Sequence, residues 1–196
     1  MLRTLGRDEF SDDLIDSWVG NGAQVLVKRA LSASVDIDKN IDSTFFEEAL
    51  SIFLQYYKNN LCEATLPYKD VKETLELLHK NAYKLVIITN KPSAFIEPIL
   101  TKLEMFHLFS FCLGGDSLDE KKPHPLPLIY ACEKLNFSIE DALMIGDSKN
   151  DILAAKAANI ESIGVSYGYN YGEDIRVYNP EVVVDNFIDI LKYCTK

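Results

Sequence analysis

The chain has 196 residues and a mass of 22.2 kDa, which fits one domain or one domain with a small appendage. Its net charge of -10 and pI near 4.8 disfavour nucleic acid or an anionic membrane surface as the main partner. Hydrophobic residues make up 47% of the chain, which indicates a packed core, and no apolar run reaches the roughly 20 residues of a membrane span. An anionic substrate must therefore be attracted by a few local cations or by a metal ion.

The N-terminus has no apolar stretch long enough for a secretion signal. The four cysteines are scattered and form no C-x-x-C pair. These features predict free, buried thiols in a cytoplasmic protein. They do not bear on oligomeric state, for which a monomer or a homodimer is the expectation. The cysteines are Cys62, Cys112, Cys132 and Cys194.

Residues 1–66 show helical patterns and no strand pattern. The clearest helix spans residues 45–57, where aromatic and aliphatic residues recur at helical spacing. From Pro67 onward, apolar strand-like runs alternate with helical segments, which predicts an α/β domain over residues 67–196 with a parallel, doubly wound sheet. Pro92 is expected at the first position of a helix, and the chain should close with a helix near residues 187–191. The predicted strands are 85–89, 109–113, 142–145, 160–165 and 182–184.

The most informative segment is A-L-M-I-G-D-S-K-N-D at residues 142–151. A buried parallel strand ends here, and Gly146 lets the chain turn as it leaves the sheet. Asp147 then stands at the carboxyl end of the strand, where open α/β sheets bind ligands, and its carboxylate suits Mg²⁺. Asp151 has an equally good second interpretation, because Ser148 and Asp151 match a helix-capping pattern.

Two further positions could carry chemistry. Thr89 and Asn90 end the first apolar strand and could form a phosphate cradle, although taken alone they fit the ordinary interpretation of a strand end and a turn better. Lys122 precedes a stiff P-H-P segment that could aim it inward, whereas the ordinary interpretation is a solvated surface lysine. We interpret His124 as structural or exposed and not as a ligand.

Taken together and in order, these motifs resemble the haloacid dehalogenase superfamily of phosphatases. The strand ending in Thr89 and Asn90 resembles the second motif of that superfamily, Lys122 the third, and residues 146–151 the fourth. Within it, the sequence is similar to bacterial phosphoglycolate phosphatases, also through W-V-G-N-G-A at residues 18–23 and Y-G-Y-N-Y-G at residues 167–172. The resemblance covers nearly the whole chain and implies a Rossmann-like parallel sheet with a small helical cap domain.

The resemblance implies a Mg²⁺-dependent phosphatase that acts through an aspartyl-phosphate. Thr89 and Asn90 would hold phosphoryl oxygens, and Lys122 would offset charge between phosphate and nucleophile. Asp147 would ligate Mg²⁺, and Asp151 would orient the metal's water or Lys122 without touching the metal.

The resemblance also implies a lid. Gly20, Asn21 and Gly22, here called the cap loop, would close over the substrate together with Lys28 or Arg29. The substrate that the resemblance implies first is 2-phosphoglycolate. Sugar-phosphate phosphatases, phosphoglucomutases and dehalogenases are the alternatives within the superfamily, but a dehalogenase would not need the Mg²⁺ ligand.

One element of the family pattern is missing. Its nucleophile lies in an Asp-x-Asp-Gly-Thr motif near the N-terminus, and no such motif precedes Trp18. The V-D-I-D-K-N segment at residues 35–40 has two aspartates in the right relation but lies between two cap helices, so we interpret it as a surface loop. We expect a truncation, a misplaced start or a deliberate shortening, and therefore an inactive or severely impaired chain. A non-catalytic remnant that binds phosphate, Mg²⁺ or a protein partner is the alternative.

The missing segment also has a structural consequence. In this fold the first strand lies between those ending at Thr89 and Ile145. Its loss would leave two strands without a shared neighbour, unless they pair directly or an edge stays open.

Overall fold

The computed structural model describes residues 1–194, which form α-helices, short 3₁₀ turns and parallel strands. The strands are β1 (Leu85–Ile88), β2 (Phe109–Leu113), β3 (Leu143–Gly146), β4 (Glu161–Val165) and β5 (Val182–Val184). The α-helices are α1 (Asp12–Asp16), α2 (Ala23–Ser32), α3 (Ser43–Asn59), α4 (Val71–Lys80), α5 (Ile96–Lys102), α6 (Leu126–Leu135) and α7 (Lys149–Ala158). None of the helices within residues 1–194 is both long and apolar enough to cross a membrane.

The N-terminal helices have a core of their own. Val27 and Leu31 of α2 pack against Ala49 of α3, and all three are buried. The Asp42 carboxylate caps α3 by accepting a hydrogen bond from the backbone N–H of Phe45 at 2.8 Å. The predicted third helix is thus present, and no strand lies in the first 66 residues. The boundary between residues 66 and 67 stays a prediction.

The β-structure is divided into two parallel sheets. β1 pairs with β2 in one sheet, and β4 lies between β3 and β5 in the other. Within residues 1–194, β1 and β3 each pair on one side only, so each leaves one edge open. The sheet is therefore interrupted at the place where the resemblance puts the missing strand.

A cavity of about 1080 Å³ lies between the open edges of β1 and β3 and is here called the slot. Its walls are residues 85–89 and 142–147, and apolar side chains of α4, α5 and α6 also line it. The N–H of Thr89 donates to the carbonyl of Leu113 in β2 at 2.9 Å. Because successive residues of a strand point their polar groups to opposite edges, the N–H and C=O of Ile88 face the slot.

Helices cover both faces of the sheets. On one face, α6 and α7 pack through Leu128, Cys132, Ala154 and Ala155. On the other face, α4 and the C-terminal 3₁₀ helix Phe187–Lys192 pack on β4 and β5. This doubly covered arrangement explains why the strand sequences are continuously apolar.

Three local expectations need correction. Pro92 does not begin an α-helix: a 3₁₀ turn, Ser93–Phe95, follows it, and α5 begins at Ile96. The closing segment Phe187–Lys192 is a 3₁₀ helix and not an α-helix. The four cysteines are free as predicted, but only Cys132 is fully buried.

Candidate active site

The carboxyl end of β3 presents Asp147 at the mouth of the slot. Asp147 Oδ2 accepts a hydrogen bond from the N–H of Tyr169 at 2.8 Å, and a Cβ on Gly168 would lie 2.1 Å from the same oxygen. Glycine at 168 therefore lets the chain approach this carboxylate. Burial raises the pKa of Asp147, and the charge of Asp151 adds to the rise, while the Tyr169 N–H opposes it. A cation beside Asp147 would stabilise the charged carboxylate and so offset the effect of burial.

Asp151 caps α7 and also contacts Lys122. Its Oδ2 accepts from the N–H of Ser148 at 3.0 Å and completes a capping box at the start of α7. Its Oδ1 lies 2.5 Å from Lys122 Nζ, in an ion pair that is almost fully buried. Lys122 Nζ also donates to the carbonyl of Ile88. The interpretation of Lys122 as a solvated surface lysine is therefore wrong.

The turn after β1 is held by hydrogen bonds within the protein. Thr89 lines the slot, and its Oγ1 accepts from the N–H of Lys91 at 3.2 Å. Asn90 Nδ2 donates to the carbonyls of Lys122 at 2.9 Å and Gly20 at 3.0 Å. The buried Asn90 Oδ1 has no hydrogen-bond partner among the described residues. Both amide hydrogens of Asn90 thus fasten loops together, and contact between Asn90 and a phosphate stays a prediction.

The cap loop docks directly on the core. The carbonyl of Gly20 accepts a second hydrogen bond, from Asn150 Nδ2 at 3.2 Å. The carbonyl of Asn21 accepts from Lys121 Nζ at 2.9 Å, and Asn21 Oδ1 accepts from the hydroxyl of Tyr171 at 2.8 Å. Asn150 Nδ2 also donates to the Tyr171 hydroxyl at 2.9 Å. The structure therefore brings the cap loop to the turn after β1 and to the start of α7.

Both glycines of the cap loop have a positive φ and lie close to the core. Gly22 has φ +87°, and a Cβ there would lie 2.7 Å from the backbone carbonyl oxygen of Asn90. Gly20 has φ +129°, and a Cβ there would lie 2.4 Å from the hydroxyl at the end of the Tyr171 side chain, which can rotate away. A larger residue at Gly22 would therefore separate the cap from the core, whereas at Gly20 the backbone conformation is the main obstacle.

The two predicted cap cations lie in different places. Arg29 Nη1 donates to the carbonyl of Trp18 at 2.7 Å, and its guanidinium lies 5.6 Å from the centre of the Tyr171 ring. Arg29 therefore reaches the cap–core boundary. Lys28 instead lies 4.7 Å over the ring of Phe46 within the cap.

Sequence reasoning missed two residues of this boundary. Asn150 is 4% exposed and lies inside the G-D-S-K-N-D motif, where no role was assigned to it. Tyr171 lies in the Y-G-Y-N-Y-G segment, which we noted only as part of the resemblance. Both residues are polar, and that was the only sign in the sequence that they form hydrogen bonds. Their partners lie in the cap loop, and which residues these are depends on tertiary packing.

The aspartates of residues 35–40 lie outside this site. Asp36 and Asp38 are exposed in the loop between α2 and α3, and Asp38 Oδ1 accepts from the N–H of Asn40 at 2.9 Å. The prediction of a surface loop is confirmed. By contrast, Thr89, Lys122, Asp147 and Asp151 all line the slot.

The donor set fits part of a Mg²⁺ site. Within residues 1–194 there is no cluster of three or more His, Cys, Asp or Glu side chains that could hold a metal. Mg²⁺ often takes only one or two carboxylates and completes its shell with water and phosphate oxygens. Asp147, whose carboxylate is partly buried and whose pKa is raised, suits one such position. Asp151 is already engaged by Lys122 and Ser148.

Known proteins are similar to this chain in sequence and in fold. Residues 5–165 match the family of haloacid dehalogenase-like hydrolases. A phosphoglycolate phosphatase from Colwellia psychrerythraea is 54% identical over 190 residues, which are 97% of this chain and 84% of the relative. A phosphoglycolate phosphatase from Haemophilus influenzae is 44% identical over 181 residues, covering 92% of this chain and 81% of the relative.

Solved structures of similar proteins have the same fold as this chain. The crystal structure of a predicted phosphoglycolate phosphatase from Haemophilus somnus has a TM-score of 0.91 at 40% identity, and the match covers 99% of this chain and 87% of the other. The structure of a protein from Lactobacillus delbrueckii, at 23% identity and a TM-score of 0.86, shows the same fold. The motifs, the fold and these matches agree, and the chain belongs to the haloacid dehalogenase-like hydrolase family.

Proposed function

We propose that this chain carries most of the site of a Mg²⁺-dependent phosphatase for small phosphorylated metabolites, with 2-phosphoglycolate as the preferred substrate. The observation that carries the proposal is the buried Lys122 at the carboxyl end of the slot, beside two carboxylates and the turn at Thr89. The names of the relatives from Colwellia psychrerythraea and Haemophilus influenzae support the choice of substrate.

Each residue has a role that its surroundings support. The Thr89 hydroxyl and the backbone N–H groups of its turn would hold phosphoryl oxygens. Lys122 would offset the negative charge of the phosphate, and Asp151 holds the Lys122 ammonium at 2.5 Å. Asp147 would hold Mg²⁺, which when bound supplies positive charge to the phosphoryl group. Positioning and electrostatics supply most of the catalysis in phosphoryl transfer.

We further propose that the chemical step needs a carboxylate nucleophile that the described residues do not supply. The 196-residue sequence contains no Asp-x-Asp-Gly-Thr motif. The slot has two open strand edges, and the proposed phosphate-binding residues stand at its carboxyl end. A strand in the slot would bring its last residue beside Lys122 and Asp147. Without such a strand, the chain should bind ligands and should not hydrolyse the substrate.

The second candidate is a non-catalytic protein that binds phosphate and Mg²⁺ or a protein partner. It is favoured by the same observation, because Thr89, Lys122 and Asp147 could bind phosphate without a nucleophile. Sugar-phosphate phosphatase and phosphoglucomutase activities are the other candidates within the family. Turnover separates the enzyme from the binder, and competition among phosphate esters separates the substrates.

Thermal unfolding tests the shared binding site. A ligand that binds only the folded chain raises the melting temperature. We expect Mg²⁺ with inorganic phosphate to stabilise the chain, and 2-phosphoglycolate to do so at lower concentrations than glucose 1-phosphate. Asp147→Asn should abolish the Mg²⁺ effect. No stabilisation by any of these ligands would overturn the proposed function.

A further inference from the structure

Two lysines at the cap–core boundary carry positive charge without an acidic partner. Lys91 Nζ donates to the hydroxyl of Tyr57 in α3, and Lys121 Nζ donates to the carbonyl of Asn21 at 2.9 Å. Both acceptors are neutral and both belong to the cap. Within residues 1–194, neither lysine forms an ion pair, although the chain has 30 aspartates and glutamates.

Both ammonium groups are partly withdrawn from water. Burial lowers the pKa of Lys91 and of Lys121. A cation in such a place is costly unless an anion compensates it. In a chain with a net charge of -10, two lysines without an acidic partner at one boundary point to an anion that is not part of the protein.

The two lysines flank the turn after β1. Lys91 follows Asn90 directly and lines the slot together with Thr89. Lys121 Nζ lies 3.5 Å from the position that a Cβ on Gly22 would take, and that position is 2.7 Å from the Asn90 carbonyl oxygen. Both ammonium groups therefore stand next to the turn that would hold a phosphate.

The Tyr57 ring, whose centre lies 4.6 Å from Lys91 Nζ, offsets part of the charge of Lys91, but no acidic group among the described residues pairs with either lysine. Each lysine ammonium has three N–H donors, and each uses one of them on a neutral cap oxygen. The remaining donors are free to bind a ligand, and a neutral donor could make the same cap contacts without the cost of burying a charge. The geometry favours a binding site in which the two ammonium groups donate to a bound anion.

We propose that Lys91 and Lys121 bind a carboxylate on the alcohol portion of the substrate. The ligand class is then a small phosphate monoester with a second anionic group, and uncharged sugars lack the feature that these lysines recognise. The proposal rests on the proposed function for the phosphate half of the site. It adds the residues that would distinguish a phosphorylated hydroxy acid from a sugar phosphate.

The carboxylate half can be tested without phosphate. The side-chain ¹³Cε signals of lysine are followed by NMR while glycolate is added to the full 196-residue chain, with glycolamide as the neutral control. We expect glycolate, and not glycolamide, to shift the Lys91 and Lys121 signals. The proposal is wrong if glycolate shifts neither ¹³Cε signal, or if glycolamide shifts both as much as glycolate does.

Variants assign the effect to the two ammonium groups. Lys91→Met and Lys121→Met should each weaken glycolate binding about tenfold, the change expected when a hydrogen bond to a charged group is lost. Lys121→Arg should retain binding, because it keeps the charge. Lys134→Met is the matched control, since Lys134 lies over the Phe111 ring on the exposed side of α6. Unchanged affinity in both Met variants would contradict the proposal.

Inorganic phosphate with Mg²⁺ provides a separate measurement on the other half of the site. Glycolate binding without phosphate binding would overturn the proposed function and leave the carboxylate receptor standing. Phosphate binding without glycolate binding would overturn the receptor alone.

Discussion

Lys122 Nζ lies 2.5 Å from Asp151 Oδ1 and also donates to the carbonyl of Ile88. Ile88 ends β1, and Asp151 lies in the first turn of α7, directly after β3. One buried ammonium group therefore links the two separate sheets across the carboxyl end of the slot. The same group supplies the positive charge that the proposed chemistry needs.

Removing Lys122 should destabilise the fold. In Lys122→Met, Asp151 would remain buried with no cation, and breaking one side of a buried ion pair costs about 3 kcal/mol or more. We expect the free energy of unfolding, measured by urea denaturation, to fall by about that amount. Adding Asp151→Asn should recover part of the loss, because the remaining partner is then neutral. Strictly additive effects of the two substitutions would contradict a coupled pair.

Asp147 should cost stability at neutral pH when no metal is bound. Burial raises its pKa in the folded state above the unfolded value of about 3.9, so the folded state is penalised wherever this carboxyl is charged. Asp147→Asn should therefore raise the melting temperature at pH 7. This advantage should shrink as the pH falls through the folded-state pKa and should vanish below the unfolded one. A lower melting temperature for Asp147→Asn than for the parent chain at pH 7 would contradict this prediction.

The cap loop should detach when Gly22 carries a side chain. Gly22→Ala combines a positive φ with a Cβ 2.7 Å from the backbone carbonyl oxygen of Asn90, whereas Gly6→Ala has a positive φ and no heavy atom within 4 Å. Trp18, the single tryptophan, is 2% exposed and lies just before the cap loop. We expect acrylamide to quench its fluorescence more strongly in Gly22→Ala and not in Gly6→Ala. Equal quenching in both variants would mean that backbone strain, and not the core contact, matters.

Hydrogen exchange should reveal the open edge of β1. The N–H of Ile88 faces the slot, while the N–H of Thr89 is bonded to the Leu113 carbonyl in β2 at 2.9 Å. We expect Ile88 to exchange faster than Thr89 in the isolated chain, because exchange is slowest where amides are paired within stable structure. Protection of Ile88 equal to that of Thr89 would contradict an open edge.

Strong local patterns allowed most of the elements to be predicted. The continuous apolar runs at β1 and β3 require burial on both faces, and the repeat in α3 fits one helical face. Pro92 and the closing segment at Phe187–Lys192 were less predictable, because short 3₁₀ turns and α-helices share the same apolar spacing over one or two turns.

The site was predictable only where a residue follows a strand directly. Thr89 and Asp147 stand at strand ends, so the fold class places them at one edge of the sheet. The burial of Lys122 depends on Asp151 and Ile88, which lie 29 and 34 residues away in sequence. The partners of Lys121 and Tyr171 come from the cap loop, 100 and 150 residues away. Contacts of that range follow from packing and leave no local pattern.

We propose that the site becomes catalytic when a strand that carries a nucleophilic aspartate fills the slot. The direct test is phosphate release from 2-phosphoglycolate with Mg²⁺, measured with the 196-residue chain with and without a synthetic peptide. The peptide carries about five apolar residues, the usual length of a strand, followed by Asp-x-Asp-Gly-Thr. A chain extended at its N-terminus by the same segment is the covalent version of this test.

We predict no turnover by the chain alone, turnover with the peptide, and none with a peptide whose first Asp is replaced by Asn. Turnover by the chain alone would contradict the claim. Loss of that turnover in Asp38→Asn would then identify residues 35–40 as the nucleophile segment.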